Sequence, residues 1–173
     1  MLTRNDLPEK INDCDLIPFW KTNEAWGLFS NWYPSPVDEF PTSEHAMMFA
    51  KAELFGDMET AGKIQEAKTP AEAKALGRTV KGFSQLIWDR EKERIMLQIL
   101  ETKFTRNSML RTILLSTGNK ILVEASPLDT VWGVGLAADN QDIYYPAKWK
   151  GENLLGFYLM AVRDKLKDIK TNE

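Results

Sequence analysis

Apolar positions recur at helical spacing in several stretches of the chain. In the segment from Ser84 to about Phe104, Met96, Leu100 and Phe104 step by four, and near the C-terminal end Leu155, Leu159, Val162, Leu166 and Ile169 fall on one stripe. A period near 3.6 predicts a helix in each place. Thr42 is placed to cap a helix that follows Pro41, and Thr69-Pro70-Ala71-Glu72 carries a fuller start signal, with proline in the first turn and Gly77 as the stop. Ser108 to Thr117 reads as a further helix ending at Gly118. Lys120 to Ala125 is a short β-like run, whereas Leu16–Trp20 and Gly27–Tyr33, rich in aromatics and broken by Pro18, Pro34 and Pro36, suit short strands and turns. The expectation is an α+β fold: a single compact, mostly helical domain with a small β component.

Within the helix after Thr42, Glu44, Met47 or Met48, Lys51 and Phe55 share a face, because offsets of three, four and seven return nearly to one azimuth. Two charged groups therefore lie on a stripe that is otherwise apolar. They are separated by roughly 10 Å along the axis, at about 1.5 Å per residue, so they do not form a simple surface pair and each needs another partner. A solvated face would explain them, with Lys51 snorkelling and Glu44 favoured by the first-turn dipole. So would a pocket wall.

Composition narrows the chemistry. No run approaches the roughly 20 apolar residues of a membrane span, and the first residues lack the apolar core of a secretory signal. One cysteine, Cys14, excludes an intrachain disulfide, and together these features point to the cytoplasm. A formal charge of −3 argues against broad binding of a nucleic-acid backbone and leaves room for a local basic site. With one histidine and one cysteine, no His/Cys metal cluster can be assembled, and no dinucleotide, Walker or hydrolase-elbow motif is present. No metal and no cofactor are expected. The absence of repeats and linkers leaves one domain at 16–168, with a short extension at 1–15 and a tail at 169–173, the ends expected to be loose.

Two other groups of residues attract attention. The run LVEASPLDTVWGVGL, residues 122–136, empties a strand into a turn-rich loop that carries Glu124, Asp129 and Trp132, the usual way of presenting side chains at a scaffold's edge. An Asp turn cap beside a packed tryptophan reads the same way. Six tryptophans can fill a core, yet Trp32 and Trp132, set between turn residues, also suit stacking on a planar heterocycle. His45, considered alone near a helix start, reads as a structural histidine that satisfies a backbone group, ahead of one that acts on a ligand.

Taken together, FSNWYPSPV, PTSEHAMMFAKAELFGD, AKALGRTVKGF, a Trp88 segment ending KFTRN, LLSTGNKILVEASPLDTVWGVGL and NLLGFYLMAVRDKL resemble the YbiA/NADAR family, in order from about Ile17 to Leu166. Several blocks in consistent order are more specific than any one motif. The resemblance implies a YbiA-like α+β fold and N-glycosidase or ADP-ribose-related chemistry: hydrolysis of the C–N bond of phosphorylated riboflavin-pathway intermediates, or removal of ADP-ribose from guanine bases. Position by position, it places the family's SEH carboxylate on Glu44, its lysine on Lys51, its helix tryptophan on Trp88 and its D-x-x-WG pair on Asp129 and Trp132. Ala46, Met48 and Ala50 depart from the aromatic and glutamines found in many relatives, which makes the wall less polar and leaves substrate preference open.

The resemblance thus implies a phosphorylated N-riboside or ADP-ribosylated guanine as partner, with Glu44, Lys51 and Asp129 as catalytic residues. Trp88, Trp132, His45, Arg78 and Trp32 would contact substrate, with Arg78 and Lys81 the weaker candidates, for its phosphate. A carboxylate near the anomeric carbon stabilises developing oxocarbenium charge or orients water. Lys51 has two roles open to it: a cation holding phosphate, or a neutral amine attacking the anomeric carbon. The alternative to an enzyme is a noncatalytic ADP-ribose- or nucleotide-binding module.

Overall fold

In a computed structural model of the chain, which describes residues 1–171 and side chains up to Asp168, the regular elements run in the order β1 (Leu16–Phe19), α1 (Ser43–Leu54), α2 (Met58–Glu66), α3 (Pro70–Gly77), α4 (Gln85–Arg106), α5 (Ser108–Ser116), β2 (Ile121–Glu124) and α6 (Leu154–Thr171). Packing divides them into two units: Met1–Ser30 with the chain from Asn107 onward, and Asn31–Arg106.

The first unit is built on a two-stranded parallel sheet in which Leu16 faces Ile121 and Phe19 faces Glu124. Helix α6 lies against β2 and α5. Its buried stripe of Leu155, Leu159, Val162 and Leu166 is the one that the apolar spacing predicts, while the side chain of Ile169 lies outside the described residues, as does the tail's structure at 172–173. The helix comes close because Gly156 has no side chain: a Cβ there would lie 2.2 Å from the Leu122 carbonyl oxygen. Asn153, at φ 57°, holds the junction, accepting from the Glu124 N–H and donating to the Leu122 carbonyl, both at 3.0 Å.

The N-terminal end is not loose as expected. Ile11 is buried and its N–H donates to the Tyr144 carbonyl at 2.8 Å, Asp13 accepts from the Tyr144 hydroxyl at 2.6 Å, and the Arg4 guanidinium donates to the Gly151 carbonyl beside the Trp149 ring. These partners lie more than 130 residues along the chain, which is why local pattern does not reveal the docking. Around Gly27–Phe29 the expected strand is a 3-10 turn, whose Phe29 packs on Trp26 and Phe19.

The second unit is helical. Helices α1, α2 and α3 pack on one another, and α4 crosses α1. Thr42 accepts from the His45 N–H and Thr69 from the Glu72 N–H, so both expected caps form, each worth about 1 kcal/mol. Helix α2 has no counterpart among the sequence expectations. Its start is capped by Asp57, and Thr60, Ala61 and Ile64 are its only buried residues, too short an apolar pattern to register. The core gathers Met47, Ala52, Ala61, Ile64, Met96, Leu100 and Phe104.

Candidate active site

The charged face of α1 meets the end of α3. Lys51 Nζ donates to the Gly77 carbonyl oxygen at 2.8 Å and sits 4.3 Å from the centre of the Phe83 ring and 5.7 Å from that of Trp88. Gly77 is the last residue of α3, so its carbonyl lies at the negative end of the helix and suits an ammonium. Two flanking aromatic rings add about 0.5–2 kcal/mol each for a cation. Gly77 is required by close approach: a Cβ would stand 2.1 Å from Met48 Sδ, one turn before Lys51 on α1. Burial pushes the Lys51 amine below its usual pKa, and the neighbouring Arg78 charge pushes the same way. The lysine that sequence left without a partner has a built seat, and its partner is not Glu44.

The segment from Arg78 to Trp88 closes the seat. Gly82, at φ 70°, turns it, and the Asp57 carboxylate accepts from the Lys81 N–H at 2.8 Å and the Thr60 N–H at 3.1 Å. These backbone donors, the Lys81 N–H foremost, hold Asp57 down at about 2. Phe83 then packs edge-on to Phe55, 5.2 Å between ring centres. Lys81 is drawn to Glu59 at 2.9 Å, which also receives Lys63 at 2.7 Å, so its ammonium is committed at the surface. Arg78 is exposed and has no ion-pair partner among the described residues. It is the cation beside Lys51 that remains available to an anionic group.

Glu44 is buried in the first turn of α1, where the helix dipole favours a carboxylate, and its N–H donates to the Asn31 carbonyl at 3.0 Å. His45 is also buried, with Nδ1 sharing a hydrogen bond with Thr42 Oγ1 at 2.8 Å. Burial lowers its pKa, against the opposing effects of the Ala67 backbone and Glu72. The ring is thus tied into its own helix cap, in surroundings that disfavour its charged form. Trp32, next to Asn31, is exposed.

Asp129 and Trp132 belong to the other unit. Asp129 Oδ1 accepts from the Val131 N–H at 3.0 Å and the Trp132 N–H at 2.8 Å, an Asx turn that fixes the loop, and Trp132 packs edge-on to Tyr158 at 6.1 Å. Of the residues expected from sequence, Glu44, His45, Lys51, Arg78, Trp88 and Trp32 therefore share a unit, and Lys51, Arg78 and Trp88 share a seat. Sequence reading missed the Gly77 carbonyl as the acceptor for Lys51, and Phe83 as the ring beside it. The available signal was an aromatic directly after a glycine turn. Among the described residues, no group of three His, Cys, Asp or Glu side chains gathers as metal ligands.

A family model described as NADAR domain matches residues 18–167. The chain is 41% identical over 147 residues to N-glycosidase R617 of Acanthamoeba polyphaga mimivirus, covering 80% of this chain and 86% of that protein. It is 32% identical over 155 residues to N-glycosidase YbiA of Shigella flexneri serotype 5b, covering 87% and 88%. With the maize riboflavin biosynthesis protein PYRR, chloroplastic, it is 34% identical over 170 residues, 89% of this chain but 26% of the maize protein. The NMR structure of the Escherichia coli protein YbiA superposes with a TM-score of 0.75 at 30% identity, covering 95% of this chain and 92% of that one.

Proposed function

Because the chain belongs to the NADAR domain family, we propose that it is an N-glycosidase that cleaves the C–N bond of a phosphorylated ribosyl compound, with the Lys51 amine attacking the anomeric carbon. The observation that carries this reading is the seat of Lys51: a half-buried amine of lowered basicity, held by one carbonyl between two rings. N-glycosidase chemistry is named for relatives that match over most of their length. Burial shifts the amine's basicity in the direction that a nucleophile needs.

In the proposed reaction, the Lys51 nitrogen bonds to C1 of the sugar as the C1–N bond to the base breaks. The base leaves with the bonding pair and takes up a proton. Opening of the ring gives an iminium, water adds to it, and the amine departs to restore Lys51 and release the sugar phosphate. Glu44, on the same helix face, is the carboxylate assigned to stabilise positive charge at C1 and to orient that water. Arg78 is assigned the phosphate. In the other unit, Asp129 shapes the loop that carries Trp132; an Asp129→Asn variant that keeps wild-type rate removes its carboxylate from the chemistry.

Two substrate sources fit: a ribosylaminopyrimidine phosphate, in line with the name of the maize relative, and an ADP-ribosylated guanine base. Mass-spectrometric product analysis with each separates them. Free base and ribose phosphate from the first assign metabolite cleavage, and ADP-ribose from the second assigns base repair. Borohydride added during turnover should fix a sugar adduct on Lys51. An unlabelled, fully active protein whose Lys51→Arg variant also turns over would make Lys51 a phosphate contact instead. Binding without product from either substrate would favour the noncatalytic module.

A further inference from the structure

Two rings flank the Lys51 amine, but only one has surface to offer. Trp88 is 8% exposed, whereas Phe83 is 41% exposed, and the next outward-facing residues, Leu86 and Ile87, are 64% and 44% exposed. These three exposed apolar residues fall within five positions of a surface segment whose neighbours are charged: Arg78, Lys81, Asp89 and Arg90 are all exposed. Scattered exposed apolar residues need no explanation, but a cluster beside a reactive-group candidate does. Lys51 Nζ, 4.3 Å from the centre of Phe83, is the fixed point. In an N-glycoside attacked at C1, the base nitrogen is one bond from C1, so the base must lie within a ring's width of the attacking amine. Trp88, nearly buried, forms the wall. Phe83 has the face.

We infer that Phe83, extended by Leu86 and Ile87, is the specificity-determining platform on which the planar base of the substrate stacks. The inference rests on the reading of Lys51 as the group at C1. It moves base recognition from Trp88, to which the family resemblance would give it, to a phenylalanine 32 residues beyond the lysine in sequence. Asp57 and Gly82 support the platform indirectly, by fixing the turn from which Phe83 projects.

The test separates base from sugar phosphate. Affinities of guanosine 5′-monophosphate and ribose 5-phosphate are measured by calorimetry for wild type, Phe83→Ala, Phe83→Tyr and Leu86→Ser. Wild type should bind the base-bearing compound more tightly. Phe83→Ala should weaken that compound about tenfold, as loss of one stacked base does, and leave ribose 5-phosphate unchanged. Phe83→Tyr should restore the difference, and Leu86→Ser, a fully surface change, should weaken the base-bearing compound about twofold. Equal weakening of both ligands in Phe83→Ala would show that the ring acts through the fold or through Lys51, and would overturn the inference. So would equal wild-type affinities. A base-dependent preference in a protein that cleaves no N-riboside would keep the platform and sink the N-glycosidase reading.

Discussion

Two lysines in the helical unit sit over aromatic rings, and they are not alike. Lys51 is half-buried over Phe83 and Trp88; Lys103, on α4, is fully buried, 5.8 Å from the Tyr33 ring centre and 5.4 Å from that of Phe104. Burial lowers both pKa values, and for Lys103 it does so to about 7. Ranked by basicity alone, Lys103 would be the better nucleophile at neutral pH. Access reverses the ranking, because an amine with no exposed surface cannot meet a substrate, whereas Lys51 lies next to an exposed ring and an exposed guanidinium. A perturbed pKa nominates a site only when geometry gives it a route to solvent.

The sharpest way to break this contrast is a matched pair of substitutions. Lys51→Met should lower kcat/KM on the order of 10³-fold or more, with the melting temperature little changed, while Lys103→Met should leave turnover per folded molecule close to wild type. Loss of turnover in a folded Lys103→Met protein would reverse the assignment. Next in size is stability: Lys103→Ala should destabilise by about 2–4 kcal/mol in denaturant unfolding, since it empties a filled core site, and Lys51→Ala by much less.

Two pH profiles sharpen the comparison. For a nucleophilic Lys51, kcat/KM should climb as pH rises toward its lowered pKa, because the neutral fraction grows; a phosphate-holding cation would give the opposite slope. Lys103 reads out in stability instead. Its folded pKa of about 7 lies below the unfolded value of about 10.4, so between those values the unfolded chain holds a proton that the native one has released. Stability from this group therefore rises with pH across that window and is lowest below it. Lys103→Met should flatten that rise. The smallest expected effect is at Asp57, held at about 2 by the Lys81 and Thr60 backbone. Asp57→Asn should lower the melting temperature at pH 7, and the gap from wild type should close as pH falls from about 4 through 2, where the wild-type carboxylate protonates.

What was legible in the sequence was local. The caps at Thr42 and Thr69, the α6 stripe and the shared face of Glu44 and Lys51 all follow from spacings of three and four, and the structure reproduces them. What was hidden was non-local. Lys51's acceptor is 26 residues away, and the Lys81–Asp57 clamp spans 24; nothing in either local pattern announces the other. Helix α2 stayed hidden because nine residues with three buried positions give too few matches to a helical period. Phe83 was passed over because a single aromatic after glycine reads as a turn until its neighbour is known.

The pairing of β1 with β2 sets the order of events at synthesis. Leu16 finds its partner only when Ile121 has been made, whereas the unit from Asn31 to Arg106 is continuous and closes on itself. At about 5–20 residues per second, the first strand waits roughly 5–20 s for its mate. During that interval the segment that houses Lys51 and its seat can form from contacts already available. A nascent chain stalled so that Arg106 has left the ribosome and Ile121 has not should then protect α1 and α3 from protease while leaving Leu16–Phe19 open to attack.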